Sequence, residues 1–149
     1  MIQARVQPEV IDIAAETQRL TLDRTDVGAL VSFVGHVRAD DGLVALILEH
    51  YPAMTERQLQ AIAAEAEARW PLLGGTIVHR HGRMRPGEAI VLVAVTSARR
   101  AAAFEAAAFL MDWLKTRAPF WKQEVRGSEQ QWVAAKASDD AAAERWISD

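Results

Sequence analysis

Three basic residues, Lys115, Arg117 and Lys122, fall within eight positions of the segment LKTRAPFWKQE. A proline and two aromatic residues lie between them; proline turns the chain sharply, and aromatic rings can wall a pocket. Burial beside apolar surface and a neighbouring cation both make a lysine easier to deprotonate. Such a lysine can act as a general acid or base near neutral pH. The alternative is that these cations only complement the negative end of a helix dipole.

A second pair of cations, Arg99 and Arg100, follows Ser97 at the predicted start of a long helix. Positive charge is unfavourable at this end because the helix dipole is already positive there. A bound anion would offset that cost, since free backbone N–H groups point the same way. The alternative is that both side chains extend into solvent, and this feature alone favours neither.

The motif GHVR (residues 35–38) ends a predicted strand. Its arginine is next to a turn, where functional side chains often lie, although an ordinary exposed arginine is the simpler explanation. In a chain of formal net charge −3, an anion site needs a local cluster of cations. We therefore expect Arg38, Arg99 and Arg100 to converge in space.

His79 and His81 alternate on a predicted strand, which would direct both side chains to one face. Two imidazoles can bind a metal, but no third ligand accompanies them at a recognisable spacing, and the motif H-E-x-x-H is absent. We predict no metal site and no cofactor, and keep a metal-dependent hydrolase using these histidines as a rival function. His50 is either a buried polar group or part of a pocket wall.

The hydrophobic pattern predicts the elements that position these residues. Strands are predicted over residues 2–6, 28–38, 43–50, 75–81, 88–96, 120–125 and 131–135, and helices over 13–20, 55–70, 99–116 and 138–146. Thr55 and Ser97 are predicted to cap the second and third helices, and Gly35 to form a bulge. Segments 28–38 and 43–50 flank the turn Asp40-Asp41-Gly42 and are predicted to pair as a hairpin. Tight turns between strands favour an α+β fold with a largely antiparallel sheet.

The whole chain of 149 residues fits one domain, residues 1–149. Its net negative charge argues against a nucleic-acid partner. The absence of cysteine excludes a cysteine nucleophile, so any sulfur must arrive on another molecule. There is no apolar run that would span a membrane and no signal peptide, so a cytoplasmic location is expected.

Four stretches of the chain resemble the large subunit of molybdopterin synthase. They are GALVSFVGHVR (28–38), LEHYPAMTERQL (48–59), residues 78–124 and the tail around WVAAKASDDAAAERW (132–146). The runs LEHYP and MDWLKTRAPFWK are long and of unusual composition, which makes chance similarity improbable. The resemblance implies an α/β hammerhead-like domain with an additional antiparallel β-sheet.

The resemblance also implies an activity. Members of the family are sulfurtransferases of molybdenum cofactor biosynthesis, which insert two sulfurs into cyclic pyranopterin monophosphate to make the molybdopterin dithiolene. Each sulfur arrives as a thiocarboxylate on the C-terminal Gly-Gly tail of a small ubiquitin-like subunit. Two large subunits form a homodimer, and with two small subunits a heterotetramer. From the basic residues alone, a non-catalytic binding protein for a small phosphorylated ligand remains the alternative.

The family's substrate contacts carry over to nine positions: His36, Val37, Arg38, Arg99, Arg100, Lys115, Lys122, Gln123 and Glu124. Lys115 matches the family's central lysine and is expected to be the general acid or base, with Lys122 supporting it. The family usually has histidine where this chain has Arg99, and a longer loop where it has residues 39–42. Arginine can replace a histidine that holds phosphate, but not one that transfers a proton.

Overall fold

The computed structural model describes residues 1–133 and 137–147, which form eight strands and four helices. The strands are β1 (Ile2–Gln7), β2 (Ala29–His36), β3 (Ala45–His50), β4 (Leu72–Arg80), β5 (Gly82–Met84), β6 (Ala89–Ser97), β7 (Phe120–Arg126) and β8 (Glu129–Val133), and the helices are α1 (Ile13–Thr21), α2 (Pro52–Arg69), α3 (Arg100–Arg117) and α4 (Ala137–Glu144). The α+β class is confirmed. Residues 134 and 135, which end the last predicted strand, lie outside the described residues.

The strands form two sheets. Sheet A has the order β1-β4-β6-β2, in which β1 is parallel to β4 and the other pairs are antiparallel. Sheet B has the order β5-β3-β7-β8 and is antiparallel throughout. This second sheet is the additional antiparallel sheet that the hammerhead-like fold requires.

The predicted hairpin between β2 and β3 is wrong. The turn itself forms, with Asp41 and Gly42 at positive φ and Leu43 N–H bonded to Asp40 O at 2.9 Å. The two strands nevertheless separate, because β2 pairs with β6 whereas Val44 N–H bonds Val125 O and directs β3 into sheet B. The turn therefore joins the two sheets.

The predicted bulge at Gly35 is confirmed, since the register of β2 against β6 shifts between Gly35 and His36. A Cβ on Gly35 would lie 2.9 Å from Cγ1 of Val91, so β2 approaches β6 too closely there for a side chain. The bulge changes the direction of the strand end that carries His36.

Helices α2 and α3 pack on one face of sheet A and α1 on the other. The face under α2 and α3 presents Ile77, Val91, Val93 and Val95, and the opposite face presents Val78, Leu92 and Ala94. This alternation is that of a strand buried on both sides. Helix α3 contributes the largest part of the first cluster: Ala103, Ala106, Ala107, Phe109, Leu110, Trp113 and Leu114 are buried.

Both predicted helix caps differ from the structure. Helix α2 begins at Pro52, because proline suits the first helical position, where its missing N–H needs no partner. Thr55 lies inside the helix and is fully buried. Ser97 ends β6, and its Oγ accepts a bond from Arg99 N–H at 3.3 Å, while Arg99 itself occupies the cap position of α3.

None of the helices within the described residues has the length and apolarity needed to cross a membrane.

The core position of α3 generates a stability prediction. Leu110 is fully buried between α3 and sheet A, so Leu110→Ala should lower the free energy of unfolding by about 2–5 kcal/mol. Leu22, at 61% exposure, provides the matched control, and Leu22→Ala should change stability by less than about 0.5 kcal/mol. Urea denaturation of both variants measures the difference, and equal losses would contradict the assigned packing of α3.

Candidate active site

A cavity of about 400 Å³ lies where the C-terminal half of α3 meets both sheets. Its apolar wall includes Val34 of β2, Val91 of β6 and Leu114 of α3. Its polar groups come from several elements and are His36, His79, Lys115, Lys122 and Asp139. Sheet A, sheet B, α3 and α4 all contribute, so the cavity depends on the complete arrangement of the chain.

Lys115 and Lys122 line this cavity together. Lys115 is in the last turn of α3, directly after the buried Leu114, so its backbone is held by the core while its amine remains exposed. Ala118 ends the helix in extended geometry before Pro119, and β7 begins at once, with Lys122 as its third residue. The prediction that the turn at Pro119 brings Lys122 near Lys115 agrees with the structure, in which both line one cavity.

His79 lies near the end of β4 and its ring stacks on Phe120, with 3.9 Å between centroids and 16° between planes. Burial lowers the pKa of His79 to about 4, and a hydrogen bond to Arg80 O opposes the shift in part. The positive charges of Lys122 and Lys115 lower this pKa further. The imidazole is therefore neutral at physiological pH, and the cationic character of the cavity comes from its lysines.

His50 continues a row of rings along the same region. Its ring centroid is 5.9 Å from that of Phe120 and 4.4 Å from that of His81. Burial and the neighbouring His81 lower the pKa of His50. His79 and His81 thus occupy different positions in the row, and residues 1–133 and 137–147 contain no group of three potential metal ligands.

The structure places the three residues at the end of β2, His36, Val37 and Arg38, in three different environments. His36 lines the cavity, and its Nδ1 is 3.1 Å from Gly87 O. Val37 is only 3% exposed and packs with Leu46, Leu48 and Met84 beneath β3, so its side chain is a core group. Arg38 is exposed, pairs with Asp40 at 2.7 Å and is not among the residues that line the cavity.

The expected convergence of Arg38, Arg99 and Arg100 is wrong within one chain. In the antiparallel β2–β6 pair, Ala29 lies opposite Ser97 and His36 opposite Ala89. Arg38 therefore lies beyond the C-terminal end of β2, whereas Arg99 and Arg100 lie near its N-terminal end. The separation is roughly 25 Å at about 3.3 Å per strand residue. Arg100 is also about 22 Å from Lys115 along α3, at about 1.5 Å per residue.

Gln123 and Glu124 belong to β7 but do not line the cavity. Gln123 lies on the opposite face of β7 from Lys122, because successive strand side chains alternate. Glu124 is on the same face as Lys122, two residues further along, where it forms an ion pair with Arg126. Neither is placed to contact a ligand that lies between the two lysines.

Several cavity residues were not identified as site residues from the sequence, among them His79, Phe120 and Asp139. His79 was considered only as half of a metal site, and Phe120 only as an aromatic wall. The spacing of Phe120 and Lys122 could have identified Phe120 as a site residue, since residues two apart on a strand share a face. Asp139 comes from α4, and no pattern in the sequence relates that helix to the lysines.

Comparison with known proteins identifies the family. The family model described as MoaE protein matches residues 6–117. The molybdopterin synthase catalytic subunit of Mesorhizobium japonicum is 60% identical over 147 residues, which make up 97% of this chain and 92% of that protein. The corresponding subunit of Escherichia coli is 49% identical and covers 95% of each chain.

A solved structure agrees with these sequence matches. The molybdopterin biosynthesis MoaE protein from Burkholderia ambifaria is 47% identical, covers 99% of both chains and superposes with a TM-score of 0.85. The similarity thus includes both sheets and the elements that carry the two lysines. The chain belongs to the MoaE family of molybdopterin synthase catalytic subunits.

Proposed function

We propose that the chain, acting as one domain of residues 1–149 in the cytoplasm, inserts two sulfurs into cyclic pyranopterin monophosphate to form the molybdopterin dithiolene. The single observation that carries this proposal is the pair Lys115 and Lys122 in one cavity. A volume of about 400 Å³ lies in the range of small-molecule sites. The two ammonium groups suit a phosphorylated substrate and an anionic sulfur donor.

The sulfur donor is proposed to be the thiocarboxylate at the Gly-Gly tail of a small ubiquitin-like subunit. Two observations support a separate donor: the chain contains no cysteine, and its curated relatives are named catalytic subunits. In this proposal the tail enters the cavity, and its sulfur bonds to a carbon of the substrate side chain and displaces an oxygen there. Water then cleaves the bond between this sulfur and the acyl carbon of the tail, which leaves as a carboxylate. Lys115 acts as general acid or base, and Lys122 supports it or holds the carboxyl end of the tail.

Arg99 and Arg100 retain a role only if a second copy of the chain brings them to the cavity. Both are exposed at the start of α3, and Phe104, one turn further along, is 62% exposed. A homodimer that covers Phe104 would carry these guanidinium groups to the neighbouring copy's cavity, where they would bind phosphate oxygens. His36 is proposed to contact substrate from the same chain, with Arg38 at the rim. Val37, Gln123 and Glu124 are proposed to contribute indirectly, since Val37 packs in the core with Leu48 and the other two belong to β7, the strand that carries Lys122.

The rival functions have less support. A binding protein for a phosphorylated ligand would need the cations but not a second protein, and turnover separates the two. A hydrolase using His79 and His81 lacks a third ligand among the described residues.

The proposal predicts that product depends on the partner's tail. Mixing the chain with a thiocarboxylated small subunit and the pterin precursor should yield the dithiolene product. Deleting the two terminal glycines of the partner should abolish product, while gel filtration still shows the large-subunit dimer. Equal rates with free sulfide would contradict tail insertion, and binding of the precursor without any turnover would favour the non-catalytic alternative.

Lys115 should be the residue whose loss reduces the rate most. Lys115→Ala should lower the single-turnover rate by about 10²–10⁴-fold, because a positioned general acid or base contributes that much. Lys115→Arg should restore little, since arginine keeps the charge but does not release the proton. The measurement is product formation with saturating partner, alongside thermal melting, which should be nearly unchanged for an exposed side chain. A near-full rate for Lys115→Arg would make Lys115 an electrostatic contact and transfer the proton role to Lys122.

Complementation tests whether Arg100 acts in a second copy. Lys115→Ala and Arg100→Ala should each be impaired alone. After unfolding and refolding an equal mixture, half of the dimers should be mixed and half of their sites intact, so about a quarter of wild-type activity should return. If Arg100 served the cavity of its own chain, no site in any mixed dimer would be intact, and activity would not recover.

A further inference from the structure

His79 lies on the side of sheet A that faces α3, and its ring is held by stacking on Phe120. It lies two residues after the buried Ile77 on β4, so both side chains point to the face covered by α2 and α3. Its ring lies flat against Phe120, the first residue of β7. Stacking and strand pairing together leave the imidazole little freedom to rotate, so its two nitrogens have defined positions.

The hydrogen bond of His79 determines its tautomer. Nδ1 is 2.9 Å from the backbone oxygen of Arg80. A carbonyl oxygen only accepts, so Nδ1 carries the proton and donates it. In a neutral ring the other nitrogen, Nε2, then has the free lone pair and is an acceptor.

Lys122 is the cation whose position suits this acceptor. It shares a face of β7 with Phe120, two residues away, and Phe120 is the ring on which His79 stacks. Both His79 and Lys122 line the cavity. Among the charged groups that act on the pKa of His79, Lys122 has the largest effect, ahead of His50 and Lys115.

We propose that His79 is a positioning residue, whose Nε2 accepts a hydrogen bond from the ammonium group of Lys122 and fixes where that ammonium lies in the cavity. The expected effect of His79 on the reaction rate rests on the proposed function. The proposed contact between His79 and Lys122 does not. An ammonium has three protons and a flexible four-carbon stem. A bond to the stacked ring restricts where this flexible group lies.

Neutrality of the ring is part of this role. A protonated imidazole would have no lone pair and would repel Lys115 and Lys122. Because burial holds the pKa of His79 at about 4, the acceptor is present throughout the physiological range. His79 therefore serves as a constant acceptor and not as a proton shuttle.

Two substitutions of His79 test its hydrogen-bond acceptor and its aromatic ring separately. His79→Phe keeps an aromatic ring that can stack on Phe120 but removes the acceptor. His79→Gln removes the ring but supplies a side-chain oxygen that can accept from Lys122. We expect His79→Phe to lower the single-turnover rate by roughly 10–100-fold, the usual effect of losing a hydrogen bond to a charged group, and His79→Gln to retain more of the rate.

A purely structural role for His79 predicts the opposite order. If only stacking mattered, His79→Phe would match the wild type and His79→Gln would be impaired, and that order would overturn the proposal. Equal rates for both variants and the wild type would also overturn it. Thermal melting of each variant identifies any loss that comes from unfolding.

Nitrogen NMR tests the contact without any turnover. The chain has four histidines, and the signals missing from His79→Gln assign those of His79. We expect an Nδ1–H tautomer whose Nε2 resonance moves toward the value of an unbonded nitrogen in Lys122→Met, with a smaller change in Lys115→Met as the matched control. An Nε2 resonance that ignores Lys122→Met would refute the contact even in an active enzyme. An inactive wild-type enzyme with the expected resonances would instead refute the proposed function alone.

Discussion

The stack of His79 on Phe120 joins the two sheets, and the arrangement of the cavity depends on it. His79 is the penultimate residue of β4 in sheet A, and Phe120 is the first residue of β7 in sheet B. Pro119 precedes Phe120 and follows the end of α3, so the same contact sets the distance between Lys115 and Lys122. A displacement of one ring would move a strand end, a helix end and both cations.

This arrangement brings the like charges of Lys115 and Lys122 to one cavity that has an apolar wall. Repulsion between the ammonium groups of Lys115 and Lys122 grows as water leaves, because the local dielectric falls. An anion that enters relieves the repulsion and receives charge-assisted bonds. Two lysines at one cavity therefore favour anionic ligands, whichever of the proposed steps each lysine performs.

The sequence predicts secondary structure and turns, but it does not predict which strands pair with each other. Periodicity located the helices and every strand except the short β5, and Pro119 correctly indicated that Lys122 lies near Lys115, since both line one cavity. The turn at Asp41 was also correct, yet a turn does not specify whether the strands it joins pair with each other. That choice separates Arg38 from Arg100, and it depends on the competing register of β6. The position of His79 in the site was not predicted for the same reason, since Phe120, on which it stacks, is forty-one residues away.

The parallel pair β1–β4 has a consequence for how the protein is made. Ile2 lies opposite Gly75, so β1 is synthesised about seventy residues before the strand with which it pairs. Its other anchor, the bond from Ile2 N–H to Glu67 of α2 at 2.7 Å, comes equally late. Until β4 is made, the backbone groups of β1 that later pair with it are unpaired, and unpaired strands favour association between chains. Both contacts of β1 thus wait for residues that are synthesised much later, although no residue of β1 lines the cavity.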